Sequence, residues 1–359
     1  MRLFRPAWDR DSWNWERAVK AVKKIKKEAK LAHIAKEARH SKAREAAVEK
    51  LTDQDLLVDV AKNGKYGHVR MAAVEKLADP IFAQEVYADV AKNDKDSYVR
   101  MAAVEKLSDS IFAQEVYADV AKIDKDREIR EAAVFKLTDQ DVLADVAKNA
   151  KNGYIRIRAA NKLFDPILAQ EVYVDVAKND EHINTRTVAV GKITNQNILA
   201  DVAKNNECKY ARMEAVEKIT DQNILADIVK NAGNENVRLA AVEKLTDENL
   251  LTDIAKNDMN IRLRRAAVER LTDQNLLADV AKNARDRGKG VRDVAVKKLT
   301  DRILLADVAK NARYDNDCML AFRKLTDPNL LADIAKNAKY KNVRKAAIEK
   351  LPNPILAQI

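Results

Sequence analysis

One phrase, AAVEKLTD, recurs along almost the whole chain and constrains the fold more than any other feature. Its Val-type position repeats at a spacing of 26 residues, occasionally 28 or 30. The residues at that position are Val48, Val74, Val104, Val134, Ala160, Val190, Val216, Val242, Val268, Val296, Phe322 and Ile348. A unit this short cannot bury its own apolar face, so successive units must stack and share one continuous core.

Each unit predicts two short helices, as residues 53–77 illustrate. The first half, DQDLLVDVAKN, and the second half, VRMAAVEKL, both carry apolar residues on a helical period, and they are called helix A and helix B below. Asp53 is a natural N-cap, and Asn63-Gly64 predicts a left-handed C-cap after helix A. In four units a Pro follows the cap residue at the first helical position. These pairs are Asp79-Pro80, Asp165-Pro166, Asp327-Pro328 and Asn353-Pro354.

The composition agrees with an all-α fold in a reducing compartment. The 359 residues include only 7 Gly and 6 Pro, and 34% of them are charged. Cys208 and Cys318 lie far apart without a CxxC pattern, which predicts neither a disulfide framework nor a zinc site. No segment approaches the ~18 apolar residues of a membrane span, and the first residues lack an apolar signal core. We therefore expect a cytoplasmic protein without a metal or a cofactor.

The paired-helix unit and the VRxAAxxxL signature of helix B resemble the HEAT-like repeat family over essentially the whole chain. The VRxAAVEKLTD phrasing is also similar to leucine-rich-variant repeats. The resemblance implies a right-handed α-solenoid of about twelve two-helix repeats. We expect residues 1–26 to form a basic N-terminal capping segment and residues 27–359 to form the solenoid. Three units contain AQEVY and carry about four extra residues, which predicts one additional turn of helix A.

Two charged residues recur with the repeat and predict an internal ladder. An Arg lies four residues before the Val-type position of helix B, and an Asp lies in helix A. Examples are Arg70, Arg100 and Arg130 in helix B, and Asp59, Asp89 and Asp119 in helix A. A half-buried guanidinium needs an acceptor, and a carboxylate suits it as a bidentate partner. The alternative is an Arg row that faces a ligand.

Lysines are equally regular, and they allow two interpretations. Lys or Arg precedes the Leu of helix B in every unit, and the AKN sequence places another Lys in helix A. Pairs such as Glu75-Lys76 and Asp59-Lys62 predict a solvated mixed-charge face with ion pairs inside each helix. The alternative is a nucleic-acid surface on which tyrosines of the A-to-B loops stack bases. These tyrosines, which could instead staple the helix starts, are Tyr66, Tyr98, Tyr154, Tyr210, Tyr314 and Tyr340.

The excess positive charge is concentrated near the N-terminus. Residues 1–50 hold 15 Lys and Arg against 7 Asp and Glu, whereas the remaining repeats are nearly neutral. Much of the excess lies on one predicted helix, behind Trp8, Trp13 and Trp15. Its lysines include Lys20, Lys23, Lys24, Lys27 and Lys30. This helix could cap the solenoid, or it could dock nucleic acid, an acidic protein or an anionic membrane.

A partner surface is predicted on helix B, where repeat arrays present variable residues. Apolar residues at outward positions whose counterparts are charged give a candidate contact strip. Its members are Met71, Met101, Phe135, Ile157, Met213 and Leu239. The alternative is that these side chains pack between repeats. No nucleophile, metal cluster or phosphate loop recurs, so we expect a non-enzymatic protein–protein scaffold, with a nucleic-acid-binding protein as the alternative.

Overall fold

A computed structural model describes residues 15–78, 80–108, 110–285 and 290–352. Within these ranges the chain forms 25 α-helices and no strand, which confirms the predicted all-α fold. The chain divides into two compact units, and the division falls between Val176 and Ala177.

The first unit begins with a single helix and continues with helix pairs, in which even numbers are A helices and odd numbers are B helices. The helices are α1 (Trp15–Lys23), α2 (Glu28–Glu37), α3 (Ser41–Lys50), α4 (Gln54–Asn63), α5 (Gly67–Glu75), α6 (Pro80–Asn93), α7 (Ser97–Lys106), α8 (Ile111–Ile123), α9 (Arg127–Lys136), α10 (Gln140–Asn149), α11 (Gly153–Ala160) and α12 (Pro166–Asn179). The AQEVY units provide α6, α8 and α12, which have 14, 13 and 14 residues instead of the usual 10, as the extra turn predicts.

The second unit starts inside α12 and repeats the short form of the pair. Its further helices are α13 (Ile183–Lys192), α14 (Gln196–Asn205), α15 (Lys209–Lys218), α16 (Gln222–Asn231), α17 (Glu235–Lys244), α18 (Glu248–Asn257), α19 (Ile261–Arg270), α20 (Gln274–Asn283), α21 (Val291–Lys298), α22 (Arg302–Asn311), α23 (Asp315–Arg323), α24 (Pro328–Asn337) and α25 (Lys341–Lys350).

Both units are built as two layers of helices. An A helix packs on the B helix that follows it, as α4 does on α5 and α14 does on α15. Neighbouring helices within a layer also pack, as α2 does on α4 and α3 does on α5. Helix α1 packs on α3 in the same way, so it takes the place of a B helix. This stacking of helix pairs is the architecture of an α-solenoid.

The A helices begin as the sequence predicts. The Asp53 carboxylate accepts the backbone N–H of Leu56 at 3.1 Å, and Asp327 caps α24 with Pro328 in its first turn. Asp165 likewise accepts the N–H of Ile167 at 2.8 Å. A side-chain acceptor at this place satisfies a backbone donor that the helix cannot satisfy itself. Two of the predicted cap residues, Asp79 and Asn353, lie outside the described residues.

The predicted left-handed C-cap after helix A is wrong. Gly64 has φ −62° and ψ 136°. Among the described residues, neither a glycine nor any other residue has a positive φ. Ala150 ends α10 with the same extended backbone, at φ −62° and ψ 136°. The chain therefore leaves helix A in an extended conformation, and side chains must bind the carbonyls that a left-handed turn would otherwise satisfy.

The recurring Arg of helix B binds those carbonyls. Arg70 donates to the carbonyl of Gly64 at 2.7 Å, and Arg100 donates to the carbonyl of Asp94 at 2.9 Å. Arg130 repeats the contact with the carbonyl of Asp124 at 2.6 Å. A guanidinium at a helix C-terminus is favourable both as a donor and as a positive charge facing the helix dipole. These three arginines of the row therefore bind backbone carbonyls at the end of helix A, as part of the fold.

The predicted Arg–Asp ladder exists, but most of the predicted pairs are wrong. Arg70 forms a bidentate ion pair with Asp94 at 2.5 and 2.7 Å, and Arg100 does so with Asp124 at 2.7 and 2.9 Å. These aspartates follow helix A of the next repeat, whereas the prediction placed the partner inside helix A. The Arg side chain reaches the end of helix A, so an acid just beyond that end meets it first. At Arg156 the partner is a helix A residue, Asp175, at 2.6 Å.

The helix A aspartates form a second ladder of their own. Asp59 accepts Lys36 of the preceding helix A at 2.6 Å and Asn63 of its own helix at 2.8 Å. The hydrogen bond from Lys36, followed by that from Asn63, lowers the pKa of Asp59. The corresponding pairs are Lys62–Asp89 at 3.2 Å and Lys92–Asp119 at 3.3 Å. The predicted pairing of Asp59 with Lys62 inside one helix is therefore replaced by pairing between successive A helices.

Replacing Arg100 with Ala should destabilise the chain by about 3–5 kcal/mol, because it leaves Asp124 as a buried charge without its partner. Arg127→Ala is the matched control, since the Arg127 side chain is 67% exposed and its ion pair is screened by solvent, so its loss should leave the stability nearly unchanged. Urea unfolding followed by circular dichroism measures both. Equal losses of stability in the two variants would contradict a buried ladder.

Candidate functional site

The predicted contact strip does not form one continuous surface. Phe135 is exposed, Met71, Met101, Met213 and Leu239 are half-buried, and Ile157 is buried. The prediction for Ile157 is wrong, since only 2% of this residue is exposed. The strip position lies one residue after the Arg, beside the contact between successive B helices, so its side chain is partly covered by packing. Phe135 occupies a different position, on the outer face of α9.

Phe135 lines a groove of about 340 Å³ between α9 and α11. Its side chain is 80% exposed although it is large and apolar. The groove is lined by Glu131, Val134, Phe135, Arg158, Asn161 and Lys162, and this set is called the Phe135 groove below. Arg158, Asn161 and Lys162 were absent from the predicted strip. The signal that could have found them is the loss of the usual Glu of VEK at three successive units, where Phe135, Asn161 and Gly191 replace it.

Hydrogen bonds between repeats hold the walls of the groove in place. The Lys162 ammonium donates to the carbonyls of Val134 at 3.1 Å, Phe135 at 2.7 Å and Leu137 at 2.5 Å. It also lies 5.7 Å from the centre of the Phe135 ring, and burial lowers its pKa. The side chain of Asn161, the residue before Lys162, accepts the hydroxyl of Tyr173 at 2.8 Å. A surface fixed in this way loses little conformational entropy when it is bound.

One carboxylate in the groove is shared by two guanidinium groups. Glu131 accepts Arg127 at 2.6 Å and Arg158 at 3.0 Å. Burial disfavours the ionised form of Glu131, but the hydrogen bonds from the two arginines outweigh it and lower the pKa. Both arginines also lie over the Tyr154 ring, at 4.8 and 5.3 Å from its centre. The cluster of Arg127, Glu131 and Arg158 therefore keeps a net positive charge.

The lysines of helix B mostly donate to backbone carbonyls of the preceding repeat, a role that the prediction of a solvated face did not include. Lys76 donates to the carbonyls of Val48 at 3.0 Å, Glu49 at 2.5 Å and Leu51 at 2.7 Å, at the C-terminus of α3. Each such cation caps the B helix of the preceding repeat. The other residues that do so are Lys50, Lys162, Lys218, Lys244, Arg270, Lys298, Lys324 and Lys350.

Two units with a long helix A use a tyrosine for this cap. The hydroxyl of Tyr87 in α6 donates to the carbonyl of Val74 at 3.0 Å, and that of Tyr117 in α8 donates to the carbonyl of Leu107 at 2.8 Å. The lysines that would otherwise cap these two helices are Lys106 and Lys136, and both are exposed. The AQEVY insertion thus exchanges a lysine cap for a tyrosine cap and leaves the lysine at the surface.

The loop tyrosines are largely occupied by cations of the chain itself. The Arg44 guanidinium lies 3.6 Å from the centre of the Tyr66 ring, and that of Arg292 lies 4.3 Å from Tyr314. Tyr66 and Tyr314 both stand at the residue before a B helix, as a stapling role predicts. Tyr98 is more accessible, with 81% of the residue exposed.

The basic N-terminal lysines Lys20, Lys23, Lys24, Lys27 and Lys30 are all exposed. The prediction that they share one helix is wrong, because α1 ends at Lys23 and α2 begins at Glu28. The intervening residues occupy the B-to-A connector of the repeat, and the end of the predicted capping segment at residue 26 falls in it. Lys50 caps α1 by donating to the carbonyls of Lys23 and Ile25, both at 2.6 Å. Trp8 and Trp13 lie outside the described residues.

The described residues contain neither a metal-binding cluster nor a membrane-spanning helix, and Cys318 is buried. Within the four described ranges no group of three or more His, Cys, Asp or Glu is placed to hold a metal ion. In the same ranges no helix is both long and apolar enough to cross a membrane. Cys318 takes the place of the recurring Arg and is fully buried, with its thiol 3.6 Å from the carbonyl of Ala312. Burial raises the pKa of this thiol to about 11.

The chain matches no protein-family model, and no curated protein matches it significantly.

Lys76→Ala should cost about 1–2 kcal/mol of stability, because three carbonyls at the end of α3 lose a charged donor. Lys106→Ala is the matched control at the same repeat position, and its cost should not exceed about 0.5 kcal/mol, since Tyr87 caps that helix. Urea unfolding of both variants and of Tyr87→Phe measures the difference. Equal costs for the two lysine variants would contradict the exchange of caps.

Cys318 should react very slowly with a thiol reagent in the folded chain, because only about one thiol in a thousand is ionised at pH 8 when the pKa is about 11. In a Cys208→Ser variant, labelling at pH 8 should be at least ~100-fold slower in the native state than in urea, where the pKa returns to about 8.5. Comparable labelling rates in the two states would contradict this environment.

Proposed function

We propose that this protein is a non-enzymatic, cytoplasmic scaffold that binds a protein partner on its helix-B surface, at the Phe135 groove. The observation that carries the proposal is the 80% exposure of Phe135 at a position that is Glu in most repeats. Complete burial of a Phe side chain is worth about 1.5–3 kcal/mol. Because the Phe135 ring stays exposed in the folded chain, this free energy is gained only when a partner buries the ring.

The composition of the groove suits a protein contact. Aromatic and Arg side chains dominate the energetics of protein interfaces, and Phe135 stands next to Arg158 in this groove. The volume of about 340 Å³ is at the lower end of the range for small-molecule sites. The lining contains no Ser, Thr, Cys or His that could act as a nucleophile. A projecting side chain of a partner fits these features better than a substrate does.

A nucleic-acid-binding function is the second candidate, and the observation that favours it is the exposure of the five lysines predicted for this role, Lys20, Lys23, Lys24, Lys27 and Lys30. The repeats themselves give it less support. Most helix-B lysines donate to backbone carbonyls, and the rings of Tyr66 and Tyr314 are covered by arginines. Binding of nucleic acid would therefore be confined to the N-terminal helices.

Site-specific photo-crosslinking tests the scaffold function. A benzophenone amino acid at position 135 should give a discrete protein adduct in nuclease-treated lysate of the source cells. The same probe at Glu217, the equivalent exposed position of α15, is the control and should not give that adduct. The adduct partner is then identified by mass spectrometry, purified and titrated. Phe135→Asp should weaken its binding at least ~10-fold, a change of about 1.4 kcal/mol.

Met259→Asp is the matched control for the titration, because Met259 is 95% exposed but lies in a loop of the second unit. Its affinity should equal that of the unsubstituted chain. Adducts of equal yield at positions 135 and 217 would contradict the proposal. Recovery of nucleic acid that is lost when the five N-terminal lysines are changed to Glu would favour the second candidate.

A further inference from the structure

The Phe135 groove interrupts a row of acidic residues on the first unit. The exposed position that Phe135 occupies is Glu in the preceding B helices, and it is Asn in the following one. In chain order the row reads Glu49, Glu75, Glu105, Phe135 and Asn161, all of them exposed. An approaching carboxylate is repelled along most of this row, but at the interruption the repulsion is absent.

Positive charge is present at the same interruption. Arg158 is 49% exposed in the groove and shares Glu131 with Arg127, which is 67% exposed. The two guanidinium groups exceed the charge of the one carboxylate between them. Lys136, the residue after Phe135 in α9, is a further exposed cation, because Tyr117 occupies the carbonyl of Leu107 that its repeat equivalents bind. The surroundings of Phe135 are therefore both apolar and electropositive.

The electropositive surroundings of Phe135 are short, and this favours a short anionic ligand over a long one. A nucleic-acid strand needs a continuous track of cations along its phosphates. Glu105 continues the acidic row next to the groove, and Glu75 continues it further, so a long polyanion would meet like charge. Lys162 also covers one face of the Phe135 ring, which hinders stacking of a base on that face. A short segment avoids both obstacles.

We propose that the partner presents a short acidic peptide segment with a large apolar side chain, which packs against Phe135 while neighbouring carboxylates face Arg158 and Lys136. This inference rests on the proposed scaffold function and specifies the chemistry of its partner. It follows from the coincidence of one exposed aromatic ring, an excess of cations and a local gap in the acidic row.

Fluorescence anisotropy with three synthetic twelve-residue peptides tests the inference on the full chain. The probe carries Leu and Phe at its centre and three Glu on each side. The second peptide has six Lys in place of the Glu, and the third has Ala in place of the Leu and Phe. The probe should bind at least ~10-fold more tightly than either, and raising the salt concentration should weaken it, because part of the attraction is electrostatic.

Two substitutions connect this binding to the groove, and a third is the control. Phe135→Asp and Lys136→Glu should each weaken the probe at least ~5-fold, and Lys136→Glu breaks no hydrogen bond to a helix end. Lys297→Glu is the matched control, since Lys297 is an exposed cation of α21 in the second unit, and it should leave the affinity unchanged. Circular dichroism of each variant verifies that the fold is retained.

Four results would overturn the inference: no binding of the probe at millimolar concentration, equal or tighter binding of the lysine peptide, equal effects of Lys136→Glu and Lys297→Glu, or displacement of the probe by a twelve-nucleotide single strand at equimolar concentration. Any of these results together with a partner adduct at position 135 would leave the scaffold function intact and reject only the acidic segment. Absence of the adduct would reject the scaffold function itself.

Discussion

Capping of helix C-termini by cations is the interaction on which the rest of this structure depends. A ten-residue helix cannot satisfy its last four carbonyls, and the extended residue that follows each A helix does not provide a left-handed turn to do so. Arg70 binds the end of the A helix in its own repeat, whereas Lys76 binds the end of the B helix in the repeat before it. The second contact exists only between neighbours, so helix termination and repeat stacking depend on each other.

This arrangement explains why so much charge appears in a chain whose repeats are nearly neutral. Arg70 and Arg100 are buried in ion pairs, the helix-B lysines bind carbonyls, and the helix-A lysines pair with aspartates such as Asp59 of the next A helix. Regular charge in this sequence is therefore mainly evidence about architecture. The residues that carry information about binding are those that depart from the pattern, because the architecture does not require them.

The features that could be predicted from sequence are those set within one repeat. The helical period, the Asp53 type of N-cap and the extra turn of the AQEVY units depend on residues close in the chain. The ion-pair partners could not be predicted, because Arg70 and Asp94 are 24 residues apart and the choice depends on which end of helix A the guanidinium reaches. The burial of the Ile157 side chain could not be predicted for a related reason. Its exposure depends on how closely the neighbouring B helix packs against α11.

The departures near the groove are connected with one another through the long A helices. Tyr117 of α8 takes over the cap of α7, and this leaves Lys136, the residue after Phe135, at the surface. Tyr173 of α12 donates a hydrogen bond to the side chain of Asn161. The AQEVY units therefore leave an exposed cation next to Phe135 in the chain and fix the side chain of Asn161 in the groove. The added turn lengthens helix A, and its tyrosine does more, because the hydroxyl reaches the end of the preceding B helix. Through this tyrosine the repeat sequence changes the surface around the Phe135 groove.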